Sequence, residues 1–231
     1  MIELHSWPTP NGLKVSIFLE EAGIDHKVFP VNIGKGEQFD PAFLKIAPNN
    51  RIPAIIDNAP TDGGAPISLF ESGAILLYLA DKTGQFIPTE IRARASALEW
   101  LFWQMGGLGP MTGQYGHFHV YAPEEIEYAR ERYKKEVHRL YGVMEKRLAD
   151  NAYLAGEEYS IADMACYPWI NVYDKAPLDL EGYPNLLKWQ ATIRSRPAVQ
   201  KVYATRDEIY GKRDQPMSDD EKKLLFGIDK K

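Results

Sequence analysis

The chain has 231 residues, 45% apolar and 26% charged, with a formal net charge of −5. That length admits one large domain or two small ones, and the composition suits a globular protein able to bury a core. The acidic balance argues against a nucleic-acid partner, which would need a concentrated basic face. The longest helix-like apolar run, Ala74 to Ala80, falls far short of the roughly 18 residues of a membrane span. The opening Met-Ile-Glu-Leu-His lacks the basic and apolar segments of a secretory leader. Cys166 is the single cysteine, so neither an intrachain disulfide nor a Cys-x-x-Cys pair can form. A reducing, cytoplasmic setting is expected. Thiol chemistry here needs Cys166 itself or a thiol brought in by a ligand.

In chain order, Ile2 to His5 reads as a strand. Leu13 to Ala22 reads as a helix with Val15, Phe18, Leu19 and Ala22 on one face. Gly23 suits the left-handed position that ends it. Lys27 to Ile33 is a second strand, which Pro30 assigns to a sheet edge. Pro41 to Ile46 makes a short helix. Ala54 to Asp57 and Pro66 to Leu69 are short strands on either side of a turn-rich stretch. Glu71 to Lys82 is a helix carrying Ile75, Leu76 and Leu79. The order β-α-β-α-β-β-α implies a four-stranded mixed sheet with flanking helices.

Thr83 to Glu90 punctuates the chain, and no convincing strand follows it. Helical patterns fill Ile91 to Gln104, Pro123 to Asp150, Ser160 to Val172, Pro184 to Ser195 and Pro197 to Ala204. Met105 to Pro110 (MGGLGP) is expected to break or kink the first of these. Ser160 and Asp163 form a capping-box pattern, with Asp in place of the usual Glu. Ser218 and Glu221 can cap a short helix in the charged tail. The fold class is thus α/β plus all-α. The expected boundaries are an N-terminal domain at 1–83, a linker at 84–90, an all-helical domain at 91–210 and a charged tail at 211–231.

Three motifs along this layout resemble the glutathione transferase superfamily, in the expected order and over about the whole chain. Ile52-Pro53-Ala54 resembles its cis-proline turn before the third strand. Phe70-Glu71-Ser72-Gly73-Ala74-Ile75 resembles its γ-glutamyl-binding segment. Tyr159-Ser160-Ile161-Ala162-Asp163 resembles its C-terminal folding box. Within the superfamily the chain is most similar to the bacterial Nu class and to relatives of the yeast nitrogen regulator. Thr9-Pro10-Asn11-Gly12, Lys35 to Phe39, Ser68 to Ser72 and Leu101-Phe102-Trp103-Gln104 carry that finer likeness. The resemblance implies a thioredoxin-like N-terminal domain, glutathione as cosubstrate, no metal and a homodimer. The activity it implies is disulfide-bond reduction, with hydroperoxide reduction and weak conjugation of electrophiles.

The residues are chemically suited to those roles. Glu71 and Ser72 open a helix, whose exposed amides and positive end favour a bound carboxylate. Ser72 adds a hydroxyl, and Glu71 can receive an ammonium; a plain cap is the other reading of Ser72. A cis Ile52–Pro53 bond would turn the Ile52 backbone toward a ligand that pairs with it like an added strand. Gln38 and Arg51 can hold a glycyl carboxylate, although Arg51 also reads as a solvated surface charge. Thr9 and Asn11 follow the first strand at a helix start, where a thiol's pKa is lowered, and each can donate a hydrogen bond to sulfur. Thr9 also reads as an N-cap with Pro10 at the first helical position, a role compatible with thiol binding.

Most glutathione transferases place a catalytic tyrosine, serine or cysteine at this point, and here no tyrosine precedes Tyr78 and no cysteine precedes Cys166. The resemblance thus implies Thr9 in the place of serine, and the Nu likeness points to Asn11, as the catalytic candidates. Arg132 is a further glutathione contact by the same resemblance, with a surface charge as its alternative. His117 and His119 read as polar-loop residues rather than a metal pair. Cys166 reads as a small core residue, and Trp100, Phe102 and Trp103 as packing. Tyr115 is a candidate for the second-substrate site. Two other functions stay open at this level: a conventional transferase acting on carbon electrophiles, and a non-catalytic glutathione-binding interaction module.

Overall fold

A computed structural model of the chain describes residues 1–170, 172, 176–212 and 217–227. Its first strand, β1 (Ile2–Ser6), leads into helix α1 (Pro10–Glu21), then strand β2 (His26–Pro30). Two short 3-10 turns follow, Ile33–Lys35 and Glu37–Phe39, and then helix α2 (Pro41–Leu44). Strands β3 (Ala54–Asp57) and β4 (Ile67–Phe70) precede helix α3 (Ser72–Thr83). The sheet order is β2-β1-β3-β4, with β1 parallel to β2 and antiparallel to β3, and β3 antiparallel to β4. Pro30 therefore sits on an edge strand, where its missing N–H removes no ladder bond.

Contacts divide the chain into two compact units, Met1–Gly84 with Pro197–Lys231, and Gln85–Arg196. In the first, helix α9 (Pro197–Ala204) packs on α1. Helix α10 (Arg206–Tyr210) follows, then α11 (Asp219–Phe226), which packs on the 33–35 turn and is capped reciprocally by Ser218 and Glu221. The core of this unit joins Ile2 and Leu4 of β1 to Val15, Ile17, Phe18 and Leu19 of α1 and Ile75, Leu76 and Leu79 of α3, all almost wholly buried.

The second unit holds α4 (Ile91–Trp103), α5 (Gly109–Gly116), the 24-residue α6 (Glu127–Asp150), α7 (Ile161–Cys166) and α8 (Pro184–Arg194). Among the described residues it contains no strand, and no helix in the chain is long and apolar enough to cross a membrane.

Several boundaries differ from the sequence reading, each for a local reason. Helix α1 starts three residues earlier than Leu13 because the Thr9 side chain caps it and Pro10 fits its first position. Strand β2 stops at Pro30, since Asn32 caps the 3-10 turn that follows. The MGGLGP stretch does not break the helix. Gln104–Leu108 widens into a π turn, with the Gly109 N–H donating to the Gln104 carbonyl, and α5 continues from it. The wider turn makes room for the Pro110 ring, which in a regular helix would strike the carbonyl four residues back.

A second π turn, His117–Tyr121, holds the two histidines in helical rather than loop conformation, and His119 Nδ1 lies 2.9 Å from the Tyr115 carbonyl. Helix α6 begins at Glu127 instead of Pro123. Arg130 donates to the Phe118 carbonyl and pairs with Glu125, and residues 122–126 form a loop between the π turn and the helix. Helix α7 ends at Cys166, where Pro168 tightens the chain into a 3-10 turn; the far end of the expected helix includes Asn171, outside the described residues.

One buried ion pair fastens the far end of the sheet. Asp57, closing β3, accepts from Lys82 Nζ at 2.6 Å, from the Tyr78 hydroxyl at 2.7 Å and from the Ala59 N–H at 3.0 Å. Lys82 also donates to the Ala59 carbonyl. Burial opposes the charge, but Lys82 and its companion donors hold the Asp57 carboxyl below its ordinary value, while burial and Asp57 push the Tyr78 hydroxyl up to about 12.

A carboxylate with a depressed folded pKa stabilises above its unfolded value of about 3.9, and that contribution fades as pH falls through the lower folded value. Lys82→Met should therefore cost about 2 kcal/mol at pH 7, less than a fully buried pair because Lys82 is partly exposed. In urea unfolding, the gap from the parent should narrow steadily below pH 4. A gap independent of pH would count against this pair.

Candidate functional site

The register places the candidate residues. His5, near the end of β1, pairs with Ala54 at the start of β3, and Ala54 pairs with Phe70 at the end of β4. Ser6 pairs with Pro30 at the end of β2. The segment leaving β1, the one entering β3 and the one leaving β4 therefore meet at one end of the sheet. These carry Thr9 and Asn11, then Arg51, Ile52 and Pro53, then Glu71 and Ser72. The segment leading to Gln38 departs from the same end.

At the β1–α1 junction the Thr9 hydroxyl oxygen accepts the Gly12 N–H at 3.4 Å, so its own proton points elsewhere. Thr9 and Asn11 are both half-buried. Gly12 is required here: a Cβ on it would fall 2.2 Å from the Trp7 carbonyl oxygen and 2.4 Å from Ser6 Oγ. The close approach lets the amides at the start of α1 lie directly beyond β1. Tyr210 closes this junction from behind, its ring centroid 5.7 Å from that of Trp7 and its hydroxyl hydrogen-bonded to Ser6 and Ser16.

The Ile52–Pro53 bond is cis. Pro53 is buried, Arg51 is exposed, and Ile52 packs its side chain against Val31, Phe43, Ala47 and Ala54. Gln38 is 1% exposed, and its Oε1 has no hydrogen-bond partner among the described residues. A buried carboxamide end left unmatched costs about 1–3 kcal/mol. The amide can be turned to present either its oxygen or its NH₂.

Glu71 adopts φ +70° and ψ 112°, a conformation side chains rarely accept. It leaves the first turn of α3 without a side-chain cap, which keeps that turn suited to an anion. Asn49 Nδ2 donates to Glu71 Oε1 at 3.4 Å, tying the approach to Ile52 to the β4–α3 corner. Ser72, the first residue of α3, is 3% exposed and accepts from Lys14 Nζ at 3.3 Å. Lys14 was absent from the sequence candidates. The available signal was its place four residues before Phe18, on the same helical face.

The remaining candidates lie in the helical unit. Arg132 is exposed on α6, where it reinforces the effect of Arg139, whose hydrogen bond holds the Glu136 carboxyl below its usual range. Ser160 and Asp163 form the capping box at the start of α7. Cys166 is buried. Trp100 and Trp103 pack edge to face with centroids 5.1 Å apart, whereas Phe102 is 65% exposed. Tyr115 is buried, and its hydroxyl donates to the Ala176 carbonyl at 2.9 Å. Among the described residues no three His, Cys, Asp or Glu side chains group as a metal site.

A four-stranded sheet that gathers a cis-proline turn, a strained acidic residue and two helix starts at one end, joined to a helical unit, defines a glutathione transferase fold. The chain belongs to the glutathione S-transferase family: residues 1–81 match its N-terminal domain and residues 108–197 its C-terminal domain. Among its relatives, the Disulfide-bond oxidoreductase YfcG of Escherichia coli (strain K12) is 58% identical over 199 residues, 86% of this chain and 93% of that protein. A Burkholderia graminis glutathione transferase, solved with two glutathione molecules per subunit, has a TM-score of 0.83 and 45% identity. That match covers 87% of this chain and 86% of the other. A Pseudomonas putida glutathione transferase with one glutathione disulfide per subunit has a TM-score of 0.82 and 43% identity, covering 87% and 89%.

Proposed function

We propose that this chain is a glutathione-dependent disulfide-bond reductase that uses the thiolate of bound glutathione in place of a protein cysteine. The observation that carries this reading is the convergence of Thr9, Asn11, Ile52, Glu71 and Ser72 at one end of the sheet, while Cys166 is buried in the other unit. The oxidoreductase name of the E. coli relative and the glutathione disulfide bound to the P. putida protein support it.

In this reading the start of α3, Ser72 and Glu71 hold the γ-glutamyl end. The Ile52 backbone pairs with the cysteinyl backbone, and Gln38 with Arg51 holds the glycyl carboxylate. Thr9 and Asn11 donate to sulfur and favour its ionised form. The thiolate attacks one sulfur of a substrate disulfide in line, forming a mixed disulfide and expelling the other sulfur as a thiolate. A second glutathione thiolate then attacks the glutathione sulfur of that mixed disulfide. It releases the remaining substrate thiol and leaves glutathione disulfide.

The same thiolate can reduce an organic hydroperoxide, and weak conjugation of electrophiles follows from its nucleophilicity. A homodimer is part of the proposal, supported by the exposed Ile67 and Phe70 on β4, as is a cytoplasmic setting with reduced glutathione.

The test is reduction of 2-hydroxyethyl disulfide by glutathione, coupled to glutathione reductase, beside conjugation of chlorodinitrobenzene. Reductase turnover well above conjugation is the expected result. The reverse preference would make the protein a conventional transferase with Thr9 as the thiol donor. Binding of glutathione without turnover of either would make it an interaction module.

A further inference from the structure

Lys14 is among the largest fully buried side chains of the chain, 1% exposed in the middle of α1. Placing an ammonium there costs several kcal/mol before its partners are counted, so an apolar residue would serve packing better. Its Nζ reaches 3.3 Å from Ser72 Oγ, 58 residues away, across the packed faces of α1 and α3. An ammonium has three donors and no acceptor. In this contact the serine oxygen must therefore accept, which turns the hydroxyl proton away from Lys14. The contact thus fixes both the position of the hydroxyl and the sense of its hydrogen bonding. As an ammonium, Lys14 also adds positive charge at the positive end of α3, in a place where little water screens it.

We propose that Lys14 is a positioning residue for the carboxylate subsite at the start of α3: it orients Ser72 as a donor and makes the site selective for an α-carboxylate. This rests on the reading of Ser72 as a γ-glutamyl contact. Lys14 lies behind the serine and is not assigned a contact with the reacting sulfur, so its effect should fall on binding and on choice of ligand, leaving the chemical step nearly unchanged.

The experiment compares glutathione with two probes, cysteinylglycine and glutathione amidated at its α-carboxyl, by calorimetry and by steady-state kinetics on the full chain. For Lys14→Met, glutathione KM and Kd should rise about tenfold with kcat within twofold of the parent, while affinity for the two probes changes less than twofold. Lys14→Arg, which keeps the charge, should recover most of the loss. Equal weakening toward all three ligands would reduce Lys14 to a structural role and overturn the proposal, as would unchanged glutathione affinity.

Ser72→Ala separates the two levels. If it binds glutathione like the parent, the subsite reading itself fails. If it weakens glutathione while Lys14→Met does not, only the Lys14 role fails. Should neither Lys14 variant fold, the ¹⁵N resonance of the Lys14 ammonium in the parent protein decides. It should shift on addition of glutathione and stay in place with cysteinylglycine; a shift with both, or with neither, overturns the proposal.

Discussion

Asp163→Ala is expected to lower the midpoint of thermal unfolding by roughly 10 °C. The carboxylate is completely buried and serves four donors. Its Oδ1 accepts the Leu154 N–H at 2.9 Å and the Trp189 indole N–H at 2.8 Å; its Oδ2 accepts the Ser160 N–H at 3.0 Å and the Ser160 hydroxyl at 3.1 Å. One side chain thereby joins the start of α7 to α8 and to the chain that returns from α6. Truncation leaves all four donors in a dry interior, each costing about 1–3 kcal/mol.

The sum is reduced because the truncation also removes a costly buried charge: burial pushes the Asp163 carboxyl up, against the pull of its four donors. A net loss of about 3–5 kcal/mol remains. Asp163→Asn should lose about half as much, since the amide keeps one oxygen for one pair of donors and turns an NH₂ toward the other. Differential scanning calorimetry measures both. An alanine variant melting within 2–3 °C of the parent, about 1 kcal/mol at this size, would remove Asp163 as the fastening point of the helical unit.

The capping box at Ser160 was legible because capping is local: a serine three residues before an acid satisfies amides that any helix start exposes. The same locality made Ser218 and Glu221 legible at α11. The ends of β3 and β4 were nearly readable, since alternation and turn residues bracket short strands. The π turns were not. Gly and Pro in MGGLGP are breakers by propensity, yet packing keeps Gln104 to Gly109 helical, and a Cβ on Gly109 would lie 2.6 Å from Gln104 Nε2. That is a tertiary constraint with no local signature.

The site divides the same way. Thr9, Ile52, Glu71 and Ser72 sit in motifs whose backbone needs are local, and so could be named. Lys14 acquires its meaning only from Ser72, which α1 meets by packing directly on α3. The packing of α9 on α1 likewise joins residues far apart in the chain.

Asn11→Ala should cut the turnover number for disulfide reduction at pH 7 at least tenfold, with glutathione affinity changed less. A hydrogen bond to a charged sulfur is worth about 1.5–3 kcal/mol. At 2 kcal/mol its loss raises the pKa of the bound thiol by about 1.5 units, and the thiolate fraction falls by up to about thirtyfold, the full factor applying only below the parent thiol's own pKa. A more basic sulfur is intrinsically more nucleophilic, which recovers about fivefold. The ionisation change alone therefore leaves a loss of at most about sixfold. The rest comes from alignment, since the same donor helps to hold sulfur on the line of attack.

The pH profile of kcat separates these parts, because it reports the thiol within the complex. The deficit should shrink as pH rises past the shifted pKa, then level at a residue of misalignment. Thr9→Val should behave similarly but with a lower melting point, since Thr9 also caps α1 through the Gly12 N–H. Equal kcat in Asn11→Ala and the parent across the pH range would remove Asn11 from the chemistry. The burden of holding the thiolate would then rest on Thr9 and on the amides at the start of α1, which no side-chain substitution can delete.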